Sequence, residues 1–151
     1  MLLILISVIL DGILSILIPL NSMFRPKLTI TAIYFLYSKY KKNKTSYFIL
    51  LIITGIVYDL LYTNILLLHP IIFYLLGNFV KYIKDNYNKT PTIIGLVLTI
   101  IFYETLIFIL MSIFQITKTN IISLLIIIGN SLLLNVLYLK TMQYIKKIKH
   151  N

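Results

Sequence analysis

The sequence has no cysteine, few histidines and very little acidic charge. Without cysteine there is no disulfide framework, no cysteine metal site and no thiol nucleophile. Only 12% of the 151 residues are charged and 60% are hydrophobic, whereas a typical soluble domain is about 25% charged and about 45–50% apolar. Too little polar surface is left to coat a water-soluble globule. These shortages argue against a soluble enzyme, a nucleic-acid-binding domain and a disordered linker, and they favour an integral membrane protein of one compact domain.

Catalytic and cofactor motifs are scarce as well. The two histidines are His69, at a predicted helix start, and His150, in the C-terminal tail, so they do not assemble a metal cluster. A Ser-His-Asp triad would have to use His69, and no nucleophile motif accompanies it. The chain also has no GxxxxGK(S/T) or GxGxxG phosphate loop. We therefore expect no catalytic residues, no metal ion and no cofactor.

Long hydrophobic runs fill most of the chain. A membrane-spanning helix needs about 20 mostly apolar residues, and six runs approach that length: residues 1–20, 26–40, 47–63, 65–80, 92–114 and 121–139. The first run lacks the basic N-terminal region and the small-residue cleavage site of a signal peptide, so we expect a retained helix. The second is the weakest, because it is short and carries Thr29 and Thr31. The sequence predicts an all-α bundle of about six transmembrane helices in a single domain, residues 1–151.

The formal net charge of +10 fits this predicted topology. With six spans, eleven of the fourteen cationic residues fall on one side of the membrane. They are Lys39, Lys41, Lys42, Lys44, Lys81, Lys84, Lys89, Lys140, Lys146, Lys147 and Lys149. Because short cytoplasmic loops carry an excess of lysine and arginine, we expect both termini in the cytoplasm. We interpret the charge as a topology signal and not as a nucleic-acid footprint, although the basic tail can also contact anionic lipid headgroups.

Three of the four acidic residues, Asp11, Asp59 and Glu104, lie inside predicted spans. A charged residue at the centre of a membrane helix costs about 2.5–3.5 kcal/mol on insertion scales, so each carboxylate should face protein or water. Two interpretations are open for each of them. The carboxylate either fixes helix packing or contacts a partner, or it has a more active role such as ligand binding or proton transfer.

Small and polar residues accompany two of these carboxylates at helical spacing. Ser7, Asp11 and Ser15 share one face of the first helix. On the third helix, Gly55 lies one turn before Asp59. Such faces mark helix–helix contacts in membranes. The last span carries four polar residues in roughly one stripe, which predicts a polar seam inside the bundle. They are Ser123, Asn130, Ser131 and Asn135.

Asp59 lies toward the outer end of its predicted span, where cationic partners are available. The second span begins there with the sequence Arg25-Pro26-Lys27. We predict that Asp59 pairs with Arg25 or Lys27 across this outer rim. Glu104, in contrast, has no cation at a matching depth in any predicted span.

Two stretches of the chain follow the pattern of a known family. Residues 24–28, FRPKL, lead into an apolar segment that ends YFLY at residues 34–37. Residues 54–63, TGIVYDLLYT, form a predicted helix end that contains a glycine and, one turn later, an aspartate. Glu104 lies in the sequence FYE. These features, together with the length, the helix count and the basic tail, resemble the MreD family of rod-shape-determining membrane proteins. The chain departs from the family pattern at Leu51, where a glycine is often found, and at residues 66–69, where Leu-Gly is common.

The resemblance implies a non-enzymatic part in the cell-elongation machinery of a bacterium. MreD-like proteins sit in the cytoplasmic membrane and associate with MreC, the actin-like MreB filament and the peptidoglycan-synthesising complex, which includes a RodA-type glycosyltransferase and a class B penicillin-binding protein. The family's fold is also similar to the six-helix substrate-binding subunits of energy-coupling-factor vitamin transporters.

Three functions therefore remain open. The resemblance favours a membrane scaffold, with Asp11, Gly55, Asp59, Glu104 and the seam of the last span as packing or partner contacts. The alternative is a small-molecule-binding transporter subunit in which Asp59 and Glu104 line a pocket. The short outer loops favour the scaffold, because a vitamin pocket would be expected on converging loops. An intramembrane enzyme would be limited to carboxylate chemistry and is the least favoured.

Overall fold

The computed structural model describes residues 2–17, 27–63, 65, 67–87, 91–113 and 121–148. Over these residues the chain forms six α-helices and no strand. They are α1 (Leu2–Leu17), α2 (Leu28–Tyr40), α3 (Lys44–Tyr62), α4 (Leu68–Asn86), α5 (Thr92–Ile113) and α6 (Ile121–Ile148). The expected all-α bundle of six helices is confirmed, while the positions at which these helices enter and leave the membrane stay a prediction.

Three of the described helices are long and apolar enough to cross a membrane: Lys44–Tyr62, Thr92–Ile113 and Ile121–Ile145. α1 is also apolar but shorter. Large hydrophobic side chains cover the outward faces, and only 11% of the apolar stretch of α6 is buried inside the protein. A soluble protein rarely exposes apolar patches of this extent. The molecule is therefore a membrane protein.

The central helix is α2, which contacts each of the other five described helices. Nine of its 13 residues are buried. At 1.5 Å per residue the helix is about 20 Å long, which is shorter than the ~30 Å hydrocarbon core of a bilayer. Because α2 is surrounded by protein, it needs no continuous lipid-facing run, and this explains why its sequence is the weakest of the six predicted spans.

The described helices alternate in direction, so that the bundle has two distinct ends. The starts of α1, α3 and α5 meet the ends of α2, α4 and α6 at one end, which contains Lys39, Lys41, Lys44, Lys84 and Lys147. We call it the lysine-rich end. The first turns of α2 and α4 lie at the opposite end, together with Asp11 and Asp59.

Helices α3 and α4 pack most closely of all the described pairs. A Cβ atom on Gly55 of α3 would lie 2.5 Å from the Cα of Pro70 and 2.7 Å from the carbonyl carbon of His69. Both are backbone atoms of α4, which move only if the whole helix shifts. Farther along the pair, Leu51 of α3 is fully buried and fills the space opposite Gly77 of α4. A glycine on each helix therefore allows the close approach, as is typical of membrane helix pairs.

We expect the Gly55→Ala variant to be destabilised by about 1–3 kcal/mol, because the added methyl group meets backbone atoms that cannot rotate away. The matched control is Gly129→Ala in α6, where a Cβ atom meets nothing within 4 Å. That change should be neutral or stabilising, since alanine is the better helix former. The measurement is the midpoint of thermal unfolding of both variants in one detergent, and equal midpoints would contradict the close packing of α3 against α4.

Candidate functional site: two aspartates that cap neighbouring helices

Asp11 of α1 binds the first turn of α2. Its Oδ1 atom accepts a hydrogen bond from the backbone N–H of Leu28 at 2.7 Å. Its Oδ2 atom accepts from the backbone N–H of Thr29 at 3.0 Å and from the Thr29 hydroxyl at 2.7 Å. The aspartate is only 5% exposed. The first N–H groups of a helix have no partner within it, and in lipid each unsatisfied group costs several kcal/mol. Asp11 therefore supplies the acceptors that the start of α2 needs.

The residue that precedes α2 cannot supply them. The N-cap position is occupied by Lys27, whose side chain makes no capping hydrogen bond and carries only donors. A carboxylate at this end of a helix also interacts favourably with the helix dipole, by up to about 2 kcal/mol where it is partly buried. The central helix thus depends on α1 for its cap, and the same contact ties the two helices together.

Asp59 of α3 has the corresponding role at the first turn of α4. Its Oδ2 atom accepts from the backbone N–H of His69 at 3.1 Å, and its Oδ1 atom accepts from the Thr63 hydroxyl at 2.8 Å. The Nδ1 atom of the His69 ring lies 2.6 Å from Oδ1. Both side chains are nearly or fully buried, with 6% of His69 and 0% of Asp59 exposed. One carboxylate therefore receives a backbone amide, a hydroxyl and an imidazole.

The N-cap of α4 also lacks a capping side chain of its own. Leu67 occupies it with a φ of 73°, in the left-handed region. For a residue other than glycine that conformation costs about 1–2 kcal/mol, and leucine offers no polar atom to the helix start. The carboxylate from the preceding helix again replaces a local cap. Asp11 and Asp59 are thus two instances of one arrangement, in which an aspartate of one helix caps the next helix in the chain.

The surroundings of Asp59 extend to α5 and to the start of α2. The Nε2 atom of His69 lies 3.4 Å from the Tyr103 hydroxyl, and the ring of Tyr58 lies 4.4 Å from the imidazole, measured between centroids. The ammonium group of Lys27 lies 4.9 Å from the centroid of the Tyr103 ring, within cation–π range. A chain of contacts through His69 and Tyr103 therefore connects Asp59 to Lys27.

The sequence-based prediction for this region was an ion pair between Asp59 and Arg25 or Lys27. Arg25 lies outside the residues that the structure describes, so its pairing stays a prediction. For Lys27 the structure gives the contact with Tyr103 described above. His69, which the sequence shows only as a histidine at a helix start, is the direct partner of Asp59. Pro70 is the feature of the sequence that could have indicated this pairing. A proline in a first turn marks the start of a helix, and the helix that starts here follows Asp59 closely in the chain.

The polar stripe of α6 meets the central helix at Asn135. This side chain is fully buried, its Oδ1 atom accepts from the Thr31 hydroxyl of α2 at 2.7 Å, and its amide donates to the carbonyl of Ser131 at 2.7 Å. Asn130 is half-buried. The threonines that weaken α2 as an apolar span are therefore the groups that bind Asp11 and Asn135.

Glu104 lies in the buried face of α5 and is 5% exposed. It is not among the residues that cap α2 or α4. Within the described parts of the chain, no three His, Cys, Asp or Glu side chains come close enough together to hold a metal ion. The buried carboxylates are thus spread over three helices, and two of them have helix ends as their partners.

This geometry defines a helical membrane protein in which buried aspartates join successive helices. The comparison with protein families agrees with that class: the family model described as rod shape-determining protein MreD matches residues 1–148. The chain therefore belongs to the MreD family, which confirms the resemblance seen in the sequence. Neither the curated proteins nor the solved structures contain a match to the chain.

Proposed function

We propose that the protein is a non-enzymatic membrane scaffold of the bacterial cell-elongation machinery. Its membership of a family of rod-shape-determining membrane proteins supports a role in cell shape. The observation that carries the scaffold hypothesis is the environment of Asp59. The side chain has no exposed surface, and its described partners, Thr63 and His69, are the end of α3 and the start of α4. A carboxylate used in this way holds the bundle together and is not presented to a ligand.

In this proposal the bundle is a rigid body that holds its partners in the membrane. Aspartate caps fix α1 to α2 and α3 to α4, and the Thr31–Asn135 hydrogen bond fixes α6 to α2. The outward faces of the described helices remain apolar, with exposed side chains such as Ile9 and Leu125. Membrane helices of partner proteins can pack on such faces without any change in the bundle core.

The partners we propose are those that the family resemblance implies. They are an MreC-like protein, an MreB-like filament, a RodA-type glycosyltransferase and a class B penicillin-binding protein, and through them the protein would regulate peptidoglycan synthesis. We further propose a multi-pass location in the cytoplasmic membrane with both termini in the cytoplasm. The concentration of lysines at one end of the bundle supports that orientation, and we propose that the lysine-rich end faces the MreB-like filament.

The alternative is a small-molecule-binding subunit of an energy-coupling-factor-type transporter. That function requires Asp59 and Glu104 to line a pocket. A cavity of about 1320 Å³ that the described residues form at the lysine-rich end is lined by neither of them. The structure therefore offers less support for the transporter subunit than for the scaffold.

Depletion of the protein in its own bacterium should separate the two functions. We expect cells that lose rod shape or stop elongating, with recovery when the wild-type chain is expressed again, because the elongation machinery would lose the scaffold that holds its parts together. The measurement is the ratio of cell length to width by microscopy, with vitamin uptake followed in the same cultures. Normal cell shape combined with an uptake defect would contradict the scaffold and support the transporter subunit.

A further inference from the structure

A cavity of about 1320 Å³ opens at the lysine-rich end of the bundle. It lies between the start of α1, the ends of α2, α4 and α6, and the first residue of α5. None of the residues assigned to the aspartate caps lines it. The cavity is large enough for part of an amphiphilic molecule, since ligand pockets typically measure about 300–1,000 Å³.

Positive charge dominates the polar part of the cavity. Four lysines line it, and the described lining includes no acidic residue. They are Lys39, Lys41, Lys84 and Lys147. The Nζ atom of Lys84 donates to the Tyr34 carbonyl at 2.7 Å and to the Ser38 hydroxyl at 2.9 Å, and it lies 4.0 Å from the centroid of the Tyr34 ring. At least one of the four ammonium groups is therefore held in a fixed position.

Asp85, which follows Lys84 in the sequence, does not cancel the positive charge of the cavity. The Lys44 ammonium lies 2.9 Å from Asp85, and its hydrogen bond holds the pKa of that carboxyl below the ordinary value. The Tyr37 hydroxyl donates to the other carboxylate oxygen at 3.0 Å. Asp85 thus pairs with Lys44, which is not a lining residue, and it also attracts Lys41 electrostatically. One carboxylate cannot balance Lys44 and the four lining lysines together, so the charge around the cavity stays positive.

Apolar side chains also line the cavity and continue to the outer surface. Leu2 is 75% exposed, Ile6 is 44% exposed and Ile145 is 64% exposed, and all three belong to the lining. Tyrosine rings, including Tyr87 and Tyr138, also line the cavity, and tyrosine is enriched at the headgroup level of a membrane. The cavity therefore has a cationic part for an anion and an apolar path for a hydrocarbon chain.

We propose that this cavity binds one anionic phospholipid from the leaflet that the lysine-rich end faces. The headgroup phosphate lies among the lysines, and an acyl chain runs along Leu2, Ile6 and Ile145. Basic pockets between membrane helices recognise anionic headgroups in this way. The proposal does not depend on the scaffold function, because it concerns a different part of the molecule and is tested with the purified chain.

The test is a lipid titration of the full chain in a neutral detergent, with bound lipid counted by native mass spectrometry. We expect one phosphatidylglycerol per chain, bound at least tenfold more tightly than phosphatidylcholine. The Lys39→Gln and Lys147→Gln double variant should weaken binding about 25-fold, since each lysine near a headgroup contributes about fivefold. Thermal unfolding of the variant without lipid verifies that it is folded, which we expect because both lysines are exposed.

The matched control is the Lys42→Gln and Lys140→Gln double variant. It removes the same charge from exposed lysines that do not line the cavity, and we expect less than a twofold change in affinity. An equal loss in both double variants would show general surface attraction and overturn the proposal. Binding of inorganic phosphate as tight as that of phosphatidylglycerol, or equal binding of phosphatidylcholine, would overturn it as well.

Discussion

Replacing Asp59 with alanine is expected to lower the free energy of unfolding by about 3–5 kcal/mol, the usual effect of removing one partner of a buried, hydrogen-bonded pair. The change leaves the His69 backbone N–H, the His69 ring and the Thr63 hydroxyl without the acceptor they share. The measurement is reversible unfolding in mixed detergent micelles. The control is Leu60→Ala, one position along the same helix, which is 67% exposed and should cost little.

A double-mutant cycle distinguishes the loss of the contact from a general weakening of α3. If Asp59 and His69 stabilise the fold through each other, the double replacement by alanine should cost less than the sum of the single replacements, by about 0.5–3 kcal/mol. Strictly additive losses would mean that the two side chains act independently, in contradiction to their 2.6 Å contact.

The second large effect is expected at Asp11. The Asp11→Ala variant leaves three buried donors at the start of α2 without their acceptor, and each unsatisfied donor costs about 1–3 kcal/mol. We therefore expect a loss of about 3 kcal/mol or more in the free energy of unfolding. Hydrogen exchange should become faster at the amides of Leu28 and Thr29, because the first turn of α2 loses its cap.

Ser15 provides the control for Asp11 on the same face of α1. Among the described residues its hydroxyl donates only to the carbonyl of Gly12 in its own helix, so Ser15→Ala should change neither stability nor exchange at α2 appreciably. If Asp11→Ala were as mild as Ser15→Ala, the aspartate would not be the cap of α2. The Thr29→Val variant should cost less in the Asp11→Ala background than in the wild type, since the hydroxyl has then already lost its partner.

The number of helices in the bundle could be predicted from the sequence, because each membrane helix requires its own long hydrophobic run. Each apolar run overlaps one observed helix, although α3 begins before its run and α4 and α6 extend beyond theirs, and even the weak second run is a helix, α2. The short length of this run and its two threonines indicate where the helix lies in the bundle, which the apolar pattern alone does not. They indicate a helix covered by protein on all sides, with Thr29 and Thr31 as donors to neighbouring helices.

The partners of the buried carboxylates could not be predicted in the same way. Helix capping is normally read from the residue that immediately precedes a helix, and here those residues are Lys27 and Leu67, which cannot cap. The acceptor for α2 comes from 17 residues earlier in the chain and the acceptor for α4 from 10 residues earlier. Only the packing of the helices brings these groups together, so no local pattern shows it.

The two caps also give a physical reason for aspartate at these positions in a membrane. A helix that starts within the protein presents its first N–H groups away from water, and the membrane offers no substitute acceptor. Asp11 and Asp59 each meet that need and fasten one helix to the next. This property suits the proposed scaffold, because partners that pack on the outside of the bundle would meet a core that does not rearrange.

We infer that Asp59 acts as a structural cap and not as a ligand-binding or proton-transferring group. Cell shape in the depletion strain, complemented with Asp59→Asn or Asp59→Ala at matched protein levels, tests it most directly. Asparagine keeps a carbonyl acceptor for the start of α4 but cannot ionise, so we predict rod-shaped cells with Asp59→Asn and loss of rod shape with Asp59→Ala. Loss of rod shape with an Asp59→Asn protein that is folded and as abundant as the wild type would contradict the account.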